Sequence, residues 1–373
     1  MQAAPARRAY QTLDGLRAAG AFVIVMRHVP FLFGPVKVPE SFLAVDLFYL
    51  ISGFVVAHAY GERLRAGASV TNFMKTRLIR LYPLYLVGLA IGLVAAILTI
   101  LTDPTTWWTP AKLAITVSTG LFMIPRFPGL EVNGSTLDGP TWTLLPELIA
   151  NLVYALAIRF MTTAVLLAIV VVCGSGVILA ELHYGTLDVG YSLTDQWGAL
   201  VRVGFSFFMG VLVFKLFGDK ERKSEWVAWV CVALVTVALA STLSEGLIPY
   251  GELGLVLIGF PALLVVATRY EPNALTGRVF SFIGLMSYAI YLLHQPLGTL
   301  ARLAIHHGVR VPTDARGLIV GALFLAFLVG LSWALDVFYD APLRRVLRAW
   351  IMGERPKPAA AAGASPSASP PPS

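Results

Sequence analysis

The amino-acid sequence predicts an all-α, polytopic integral membrane protein: a helical bundle of about ten transmembrane helices with one further short or re-entrant segment. Composition is the first observation behind this prediction, because 57% of the 373 residues are hydrophobic and only 13% are charged. Soluble domains average about 25% charged residues. The second observation is the mean hydropathy of +0.75, which agrees with this composition. The third observation is that most apolar residues fall into runs of about 20, the length that crosses a bilayer.

Eleven apolar runs follow one another along the chain. The run at 111–125 is short and ends at Pro125, and runs of about 10–14 residues are more often interfacial or re-entrant than spanning. We therefore expect ten crossings, with 111–125 not crossing fully. The runs are 13–34, 42–60, 78–101, 111–125, 142–159, 161–180, 198–217, 226–243, 248–268, 279–305 and 317–338.

The positive charge of the chain is concentrated in short segments between these runs. The net charge is +7 and the isoelectric point is about 9.5. Basic loops orient a protein in the bilayer and lie on the cytoplasmic side, so this charge does not indicate a nucleic-acid partner. We expect both termini to be cytoplasmic, in a bacterial inner membrane. The basic segments are 7–8, 63–80, 215–223, 269–278 and 344–357.

The chain divides into three parts. Residues 1–12 are expected to form a cytoplasmic segment, and 13–348 a transmembrane domain whose first span is retained rather than cleaved. Residues 349–373 end in a Pro/Ala/Ser-rich stretch that cannot build a core and is expected to be a disordered cytoplasmic tail. The segments 126–141 and 181–197 are expected to be non-cytoplasmic loops.

The first span contains Arg17 and His28. Eleven helical steps of about 100° place both side chains on one face, about 16 Å apart along the axis. Ionisable groups inside a membrane are costly and often functional, and histidine is the natural general base near neutral pH. A histidine that only packs against a neighbour is the alternative interpretation.

Spans are numbered here by apolar run. Spans 2 (42–60) and 5 (142–159) also carry polar residues on defined faces. In span 2, Asp46 and Ser52 belong to a helix that either lines a cavity or packs closely through small residues. In span 5, Glu147 and Asn151 lie four residues apart in a polar stripe of an otherwise apolar helix. A buried glutamate needs a partner, and we expect the cations of span 1 to supply it.

Two further clusters occur in spans 3 (78–101) and 10 (279–305). Arg77 and Arg80 share a face at the start of span 3, and paired guanidinium groups suit a phosphate, although the same residues also serve as an orientation signal. Tyr291 and His294 lie on one face of span 10. They either line a cavity or form a structural hydrogen-bond network. Cys173 and Cys231 lie inside apolar runs and are expected to be small buried side chains, with no zinc or disulfide spacing.

Taken together, these segments resemble the membrane-bound acyltransferase 3 family. The resemblance consists of an ordered set of motifs. They are LDGLRAAGAFVIVMRH at 13–28, VDLFYLISGF at 45–54, RLIRLYPLY at 77–85, TWTLLPE at 141–147, SYAIYLLHQP at 287–296 and DAPLRR at 340–345. Thr143 stands where the family usually has serine, and Pro146 precedes Glu147. The chain looks like a stand-alone member without a fused esterase-like domain.

The resemblance implies transfer of an acyl group, usually acetyl from acetyl-CoA, to a hydroxyl of a glycan, a lipid-linked sugar or a similar acceptor. It implies that Arg17 and His28 are essential and that Arg77 and Arg80 lie near the CoA site. We expect His28 to take the acceptor proton, with a transient acyl-histidine as the alternative. Arg17 and Glu147 would orient the histidine or stabilise charge, and no metal is required.

Two other functions are compatible with many spans and buried charges. A transporter or exporter of a polar metabolite or glycan would also need intramembrane polar residues. A transporter would not explain why two arginines at the cytoplasmic opening between the spans lie on the same path as a buried histidine. A non-catalytic membrane scaffold is disfavoured because every motif position holds a compatible residue.

Overall fold

The computed structural model describes residues 8–124, 137–218, 221–241, 247–308 and 310–353. Within these residues the secondary-structure elements are all helical apart from one parallel pair of two-residue strands, β1 (Arg222–Lys223) and β2 (Tyr270–Glu271). The prediction of an all-α bundle is therefore confirmed. The helices are α1 Gln11–His28, α2 Ala44–Arg65, α3 Val70–Thr102, α4 Pro110–Leu121, α5 Leu144–Ala157, α6 Thr163–Tyr184, α7 Gln196–Phe217, α8 Glu225–Ala240, α9 Ile248–Gly254, α10 Phe260–Ala267, α11 Ala274–His306, α12 Gly317–Leu335 and α13 Ala341–Met352.

Short helical segments connect or extend several of these helices. They include the 3₁₀ turns Pro30–Leu32, Pro39–Leu43, Gly139–Thr143 and Ile158–Phe160. The π-helical turns Leu255–Gly259 and Asp336–Asp340 join α9 to α10 and α12 to α13.

Eight helical segments in the described part of the chain are long and apolar enough to cross a membrane. Two more helices belong to the bundle. α1 has 18 residues but carries Asp14, Arg17 and Arg27, and α8 has 16 apolar residues. Together these make ten candidate crossings, the number that the apolar runs predicted.

Helix α4 is the short segment that was not expected to cross. Its 12 residues would extend about 18 Å, less than the roughly 30 Å hydrocarbon core. None of its residues is buried. It is attached to α3 because the hydroxyls of Tyr82 and Tyr85 donate to the carbonyls of Leu121 and Gly120. Pro125, residues 126–136 of the predicted loop and residues 354–373 of the predicted tail lie outside the described residues.

The basic segments meet at one end of the bundle, which we call the basic end. Arg8 pairs with Glu221 at 3.3 Å and donates to the Thr268 carbonyl at 2.7 Å. The parallel pair of β1 and β2 joins the segments that precede α8 and α11. The start of α3 contacts α13 through Thr76 and Met352. The end of α2, which leads into the segment 63–80, joins these two groups of contacts, because His58 Nε2 lies 3.2 Å from the Arg8 carbonyl oxygen. The orientation predicted from the five basic segments requires them to share one end, and the described parts of them do.

Helices α2 and α7 approach each other closely through glycine. A Cβ on Gly53 would collide with the Phe207 carbonyl oxygen, and one on Gly210 would collide with the Leu50 carbonyl oxygen. Small residues permit this approach, which is a common way for helices to associate in membranes. Of the two interpretations of span 2, close helix packing through small residues is thus observed at Gly53.

Helices α1 and α11 run parallel and in contact along their lengths. Gly284 has no room for a side chain because Asp14 occupies the space, and Gly298 is likewise closed off by Val29. Residue numbers increase in the same direction on both helices. This register brings the end of α1 beside the third quarter of α11.

Candidate active site

The end of α1 places His28 against His294 of α11. The two rings are tilted by 45° with centroids 5.0 Å apart, and His294 Nε2 lies 3.0 Å from His28 Nδ1. His294 is fully buried, whereas His28 is half-buried and borders open space. The close parallel packing of α1 and α11 is what brings the two rings together.

The hydrogen-bond partners assign the tautomer of each neutral ring. His28 Nδ1 lies 3.1 Å from the Ile24 carbonyl, and His294 Nδ1 lies 3.1 Å from the Ile290 carbonyl. A carbonyl oxygen only accepts, so each Nδ1 carries the proton. His294 Nε2 then accepts from His28 Nδ1, which leaves the lone pair on His28 Nε2. The pair therefore holds His28 in the form that can take up a proton.

His28 borders two openings away from the basic end. The first, which we call the His28 cavity, lies between α1, α2, α7, α11 and the segment before α5. The second, which we call the outer pocket, lies between α3, α11 and the segment before α4. The His28 cavity is lined by Ile24, Arg27, His28, Phe42, Val45, Gly139, Pro140, Trp142, Asp188, Tyr191, Arg202, Tyr291 and Gln295.

The outer pocket was not anticipated from sequence. It contains a tilted pair of tryptophans, Trp107 and Trp108, with ring centroids 4.7 Å apart. Polar side chains, including Asp103, Gln295 and Arg302, share its wall with His28. The sequence signal for this pocket was the pair of adjacent tryptophans at 107–108, just after α3. The pair forms part of a pocket only because α11 packs beside it.

A third cavity, the basic-end cavity, lies between α1, α2, α3, α5 and α11. Arg17, Arg77 and Arg80 all line it, with Glu147 and Ser52 opposite. Three guanidinium groups therefore face one lining carboxylate. The remaining lining residues are Val45, Phe48, Tyr49, Ile51, Val55, Val56, Leu81, Thr143, Leu144, Ser287, Tyr288 and Tyr291.

Glu147 is held by Arg77 and Ser52. Arg77 Nη2 and Ser52 Oγ each donate to Glu147 Oε1 at 2.6 Å. We expected the partner of Glu147 to come from the first span, and that expectation is wrong. The partner comes from α3, because α3 and α5 pack side by side whereas Arg17 is turned toward Asp14, 3.5 Å away.

Asn151 lies behind Glu147. It is fully buried, and its Nδ2 donates to the Glu147 carbonyl at 2.7 Å. It is not among the residues that line the basic-end cavity. Its place one turn below Glu147 on α5 means that it supports the helix rather than facing a ligand.

Arg80 differs from its two neighbours. Among the described residues, it has no carboxylate within ion-pair distance, whereas Arg77 and Arg17 each have one. Arg77 and Arg17 are themselves close enough to act electrostatically on Arg80. A cavity with excess positive charge and a guanidinium group that has no carboxylate partner among the described residues suits a phosphate group.

Arg17 does not accompany His28 although both lie on α1. Arg17 lines the basic-end cavity, and His28 lines the other two openings. Their separation of eleven residues is about 16 Å along the helix. The side chain that contacts the His28 ring is therefore His294, and Arg17 joins the arginine pair of α3.

Asp46 has a structural partner that sequence reasoning missed. Arg202 of α7 donates to Asp46 Oδ2 at 2.5 Å, and both side chains are about 99% buried. Arg202 also donates to the Val189 carbonyl at 2.9 Å. The signal was available, because Arg202 is a charge inside the apolar run 198–217 and such a charge needs a partner.

Asp188 shows how a predicted loop reaches the site. Arg27 pairs with Asp188 and also donates to the Pro39 carbonyl at 2.8 Å. Asp188 and Tyr191 line the His28 cavity. The described end of the segment 126–141 contributes Gly139 to the same wall, where its N–H donates to Gln295 Oε1 at 2.5 Å. Both predicted non-cytoplasmic loops therefore border this cavity.

Tyr291 stands between the basic-end cavity and the His28 cavity and lines both. Its hydroxyl donates to the Pro140 carbonyl at 2.8 Å and lies 3.0 Å from Thr143 Oγ1. The polar stripe of span 10 is thus divided. Tyr291 faces the cavities, and His294, three residues further on, supports His28.

The described residues contain no group of three or more His, Cys, Asp or Glu side chains arranged to hold a metal ion. The chemistry offered by the three cavities is that of a histidine base, a cluster of guanidinium groups and hydrogen-bonding side chains. These groups line three cavities of an all-α bundle, with the guanidinium cluster in one cavity and His28 bordering the other two.

A model of an acyltransferase domain family matches residues 10–336 of the chain. The chain therefore belongs to this acyltransferase 3 family. It is 41% identical over 152 residues to protein 2 in the picA locus of Rhizobium radiobacter, a match that covers 38% of this chain and 79% of that protein. No solved structure matches the chain significantly.

Proposed function

We propose that this membrane acyltransferase is an O-acyltransferase. It moves an acyl group, acetyl in the simplest case, from acyl-CoA to a hydroxyl of a glycan or lipid-linked acceptor. One observation carries this proposal. A cavity with three arginines lies at the basic end, and it shares the lining residues Val45 and Tyr291 with a second cavity that His28 borders. His28 Nδ1 is engaged by His294, whereas its Nε2 makes no hydrogen bond within the described residues.

The donor would bind with its phosphates in the basic-end cavity. Arg80 supplies a guanidinium group without a carboxylate partner among the described residues, and Arg17 and Arg77 add charge around it. Phosphates cannot enter the hydrocarbon core without such partners. The pantetheine arm is thin enough to extend from there toward His28, so the charge stays at one end of the bundle.

Glu147 would position the arginines rather than take part in the chemistry. Its carboxylate fixes Arg77, and Ser52 fixes the carboxylate. These two contacts would keep the Arg77 guanidinium group in place before the donor binds, so that it does not pair with another group.

His28 would act as the general base. Its Nε2 takes the proton of the acceptor hydroxyl as the oxygen attacks the thioester carbonyl. The C–S bond then breaks, and the imidazolium returns that proton to the departing sulfur, so that CoA leaves as the thiol. The resulting imidazolium is stabilised because its Nδ1–H donates to His294 and to the Ile24 carbonyl. A hydrogen bond from a charged donor is about twice as strong as a neutral one.

The acceptor would reach His28 from the end opposite the basic end. The His28 cavity and the outer pocket both open there, and both include Gln295 beside His28. With the basic end in the cytoplasm, the donor and the acceptor approach from opposite sides of a bacterial inner membrane. A transporter is not favoured, because the chain belongs to an acyltransferase family.

The test is acceptor-dependent release of CoA from acetyl-CoA by the purified protein in lipid nanodiscs, with a crude glycan and glycolipid extract. His28→Ala should abolish the release while CoA binding persists. His307→Ala, an exposed histidine at the end of α11, is the matched control and should keep full activity. Equal release by the wild type and His28→Ala would remove His28 as the base, and a failure to bind CoA would remove the proposed donor.

A further inference from the structure

The basic-end cavity and the His28 cavity share two lining residues, Val45 and Tyr291. Val45 belongs to α2 and Tyr291 to α11, and they are 6% and 7% exposed. The two side chains thus form the partition between the place where the arginines lie and the place where His28 lies. We call this partition the constriction.

The constriction is held in place on the Tyr291 side. The phenol hydroxyl is bonded to the Pro140 carbonyl at 2.8 Å and lies 3.0 Å from Thr143 Oγ1. The ring of Phe48 packs edge-on against the Tyr291 ring, with centroids 5.7 Å apart. Tyr291 is therefore hydrogen-bonded to the segment before α5 and packed against α2.

The Val45 side is also rigid. The next residue, Asp46, forms the buried ion pair with Arg202, and α2 packs against α7 with no room at Gly53. A β-branched side chain on such a helix has a single strongly preferred rotamer. The separation of Val45 and Tyr291 therefore has little freedom to increase for a larger group.

We propose that the constriction of Val45 and Tyr291 selects the length of the acyl group and restricts transfer to short acyl chains. The inference rests on the proposed function, since it assigns a specificity to the same reaction. In that reaction the thioester must pass the constriction to reach His28. An acetyl group passes it with one methyl group, whereas every added methylene must be accommodated between the two fixed side chains.

The experiment compares acetyl-CoA, butyryl-CoA and octanoyl-CoA as donors with one acceptor extract. Val45→Ala removes two methyl groups and leaves the hydrogen bonds of Tyr291 in place. The ratio of kcat/KM for octanoyl-CoA to that for acetyl-CoA should rise at least about tenfold, the discrimination that one or two methylenes produce in an apolar pocket. Val45→Leu should lower the butyryl-to-acetyl ratio.

Val56→Ala is the matched control. Val56 lies on the same helix, is buried, and lines the basic-end cavity but not the His28 cavity. Its chain-length ratio should stay at the wild-type value. Tyr291→Phe keeps the ring but removes its anchor, and its ratio should rise less than that of Val45→Ala.

The outcomes separate the inference from the proposed function. A folded Val45→Ala protein that transfers acetyl with the wild-type chain-length ratio overturns the constriction. So does an equal change in Val56→Ala. If the wild-type protein binds acyl-CoA but releases CoA from none of the three donors in the presence of acceptor, the proposed function fails, and the constriction has no reaction to select for.

Discussion

His294 Nε2 lies 3.0 Å from His28 Nδ1, although 266 residues separate the two histidines in the chain. Both Nδ1 atoms face carbonyl oxygens of their own helices. The contact therefore has one direction, from His28 to His294, and it leaves His28 Nε2 unprotonated. Helices α1 and α11 create this relationship because their glycines allow them to pack in parallel without a gap.

The first prediction concerns His294. His294→Ala should lower kcat by about 10²-fold, in the range for loss of acid–base assistance, with the KM for acyl-CoA unchanged. His294→Gln should restore part of the rate, because its amide oxygen can accept from His28 Nδ1. The check is the pH profile of kcat in all three proteins. A purely structural role would instead lower the amount of active protein and leave the profile of the remainder unchanged.

The second prediction concerns Arg80. Arg80→Gln should raise the KM for acyl-CoA by about 10- to 100-fold, the equivalent of one lost charge-assisted hydrogen bond, with a smaller effect on kcat. Arg345→Gln is the control, since Arg345 is an exposed arginine of α13 at the same end. Isothermal titration with CoA checks the change directly. Unchanged affinity in Arg80→Gln would place the phosphates elsewhere.

The third prediction concerns the pair of Arg77 and Glu147. Glu147→Ala leaves a guanidinium group with 6% side-chain exposure without its carboxylate. Loss of one partner of a buried pair costs about 3–5 kcal/mol, so the melting temperature should fall. Arg77→Ala combined with Glu147→Ala should recover part of that loss. If the two single effects simply add, the two side chains are not coupled and the 2.6 Å contact does not contribute to stability.

The fourth prediction concerns Asp46 and Arg202. Asp46→Leu or Arg202→Met alone should destabilise the protein strongly, because each leaves a fully buried charge without its partner. The double variant should be more stable than either single variant, since it removes both charges and keeps the volume. Thermal unfolding in one detergent compares the three. A double variant less stable than both single variants would contradict the assignment of this pair as structural.

The fifth prediction concerns the contact of α2 and α7. Gly53→Ala should lower the melting temperature and reduce CoA release, because the added methyl group meets the Phe207 backbone. Gly330→Ala on α12 is the matched control. A Cβ there has nothing within 4 Å, and alanine is favoured over glycine in a helix by about 1 kcal/mol. Equal behaviour of the two variants would show that α2 and α7 can separate without cost.

Much of the architecture was readable along the chain. The apolar runs located the helices that are long and apolar enough to cross a membrane. The shortness of 111–125 predicted a segment too short for a full crossing, and α4 has only 12 residues. The ordered motifs resemble the acyltransferase 3 family, and the family match over 10–336 agrees with them. Hydropathy and motif spacing are local properties, which is why a linear reading recovers them.

The pairing of side chains was not readable in this way. Glu147 takes its partner from α3 rather than from the first span, and Asp46 takes Arg202, which the sequence reading left unassigned. Arg17 lies with the arginines of α3 and not with His28. Each of these outcomes depends on which helices are neighbours, and periodicity within one helix carries no information about its neighbours.

The sequence by itself therefore determined that the protein lies in a lipid environment, where its helices are, which segments carry the positive charge, and which residue types are available for chemistry. Only the tertiary structure decided that His28 faces His294, that Arg80 has no carboxylate partner among the described residues, and that Val45 and Tyr291 separate two cavities. The physical reason is the range of the interactions. The transfer of a helix into lipid is a sum over its own residues. Hydrogen bonds and ion pairs need atoms within about 3–4 Å, and for groups far apart in the chain only helix packing sets that distance.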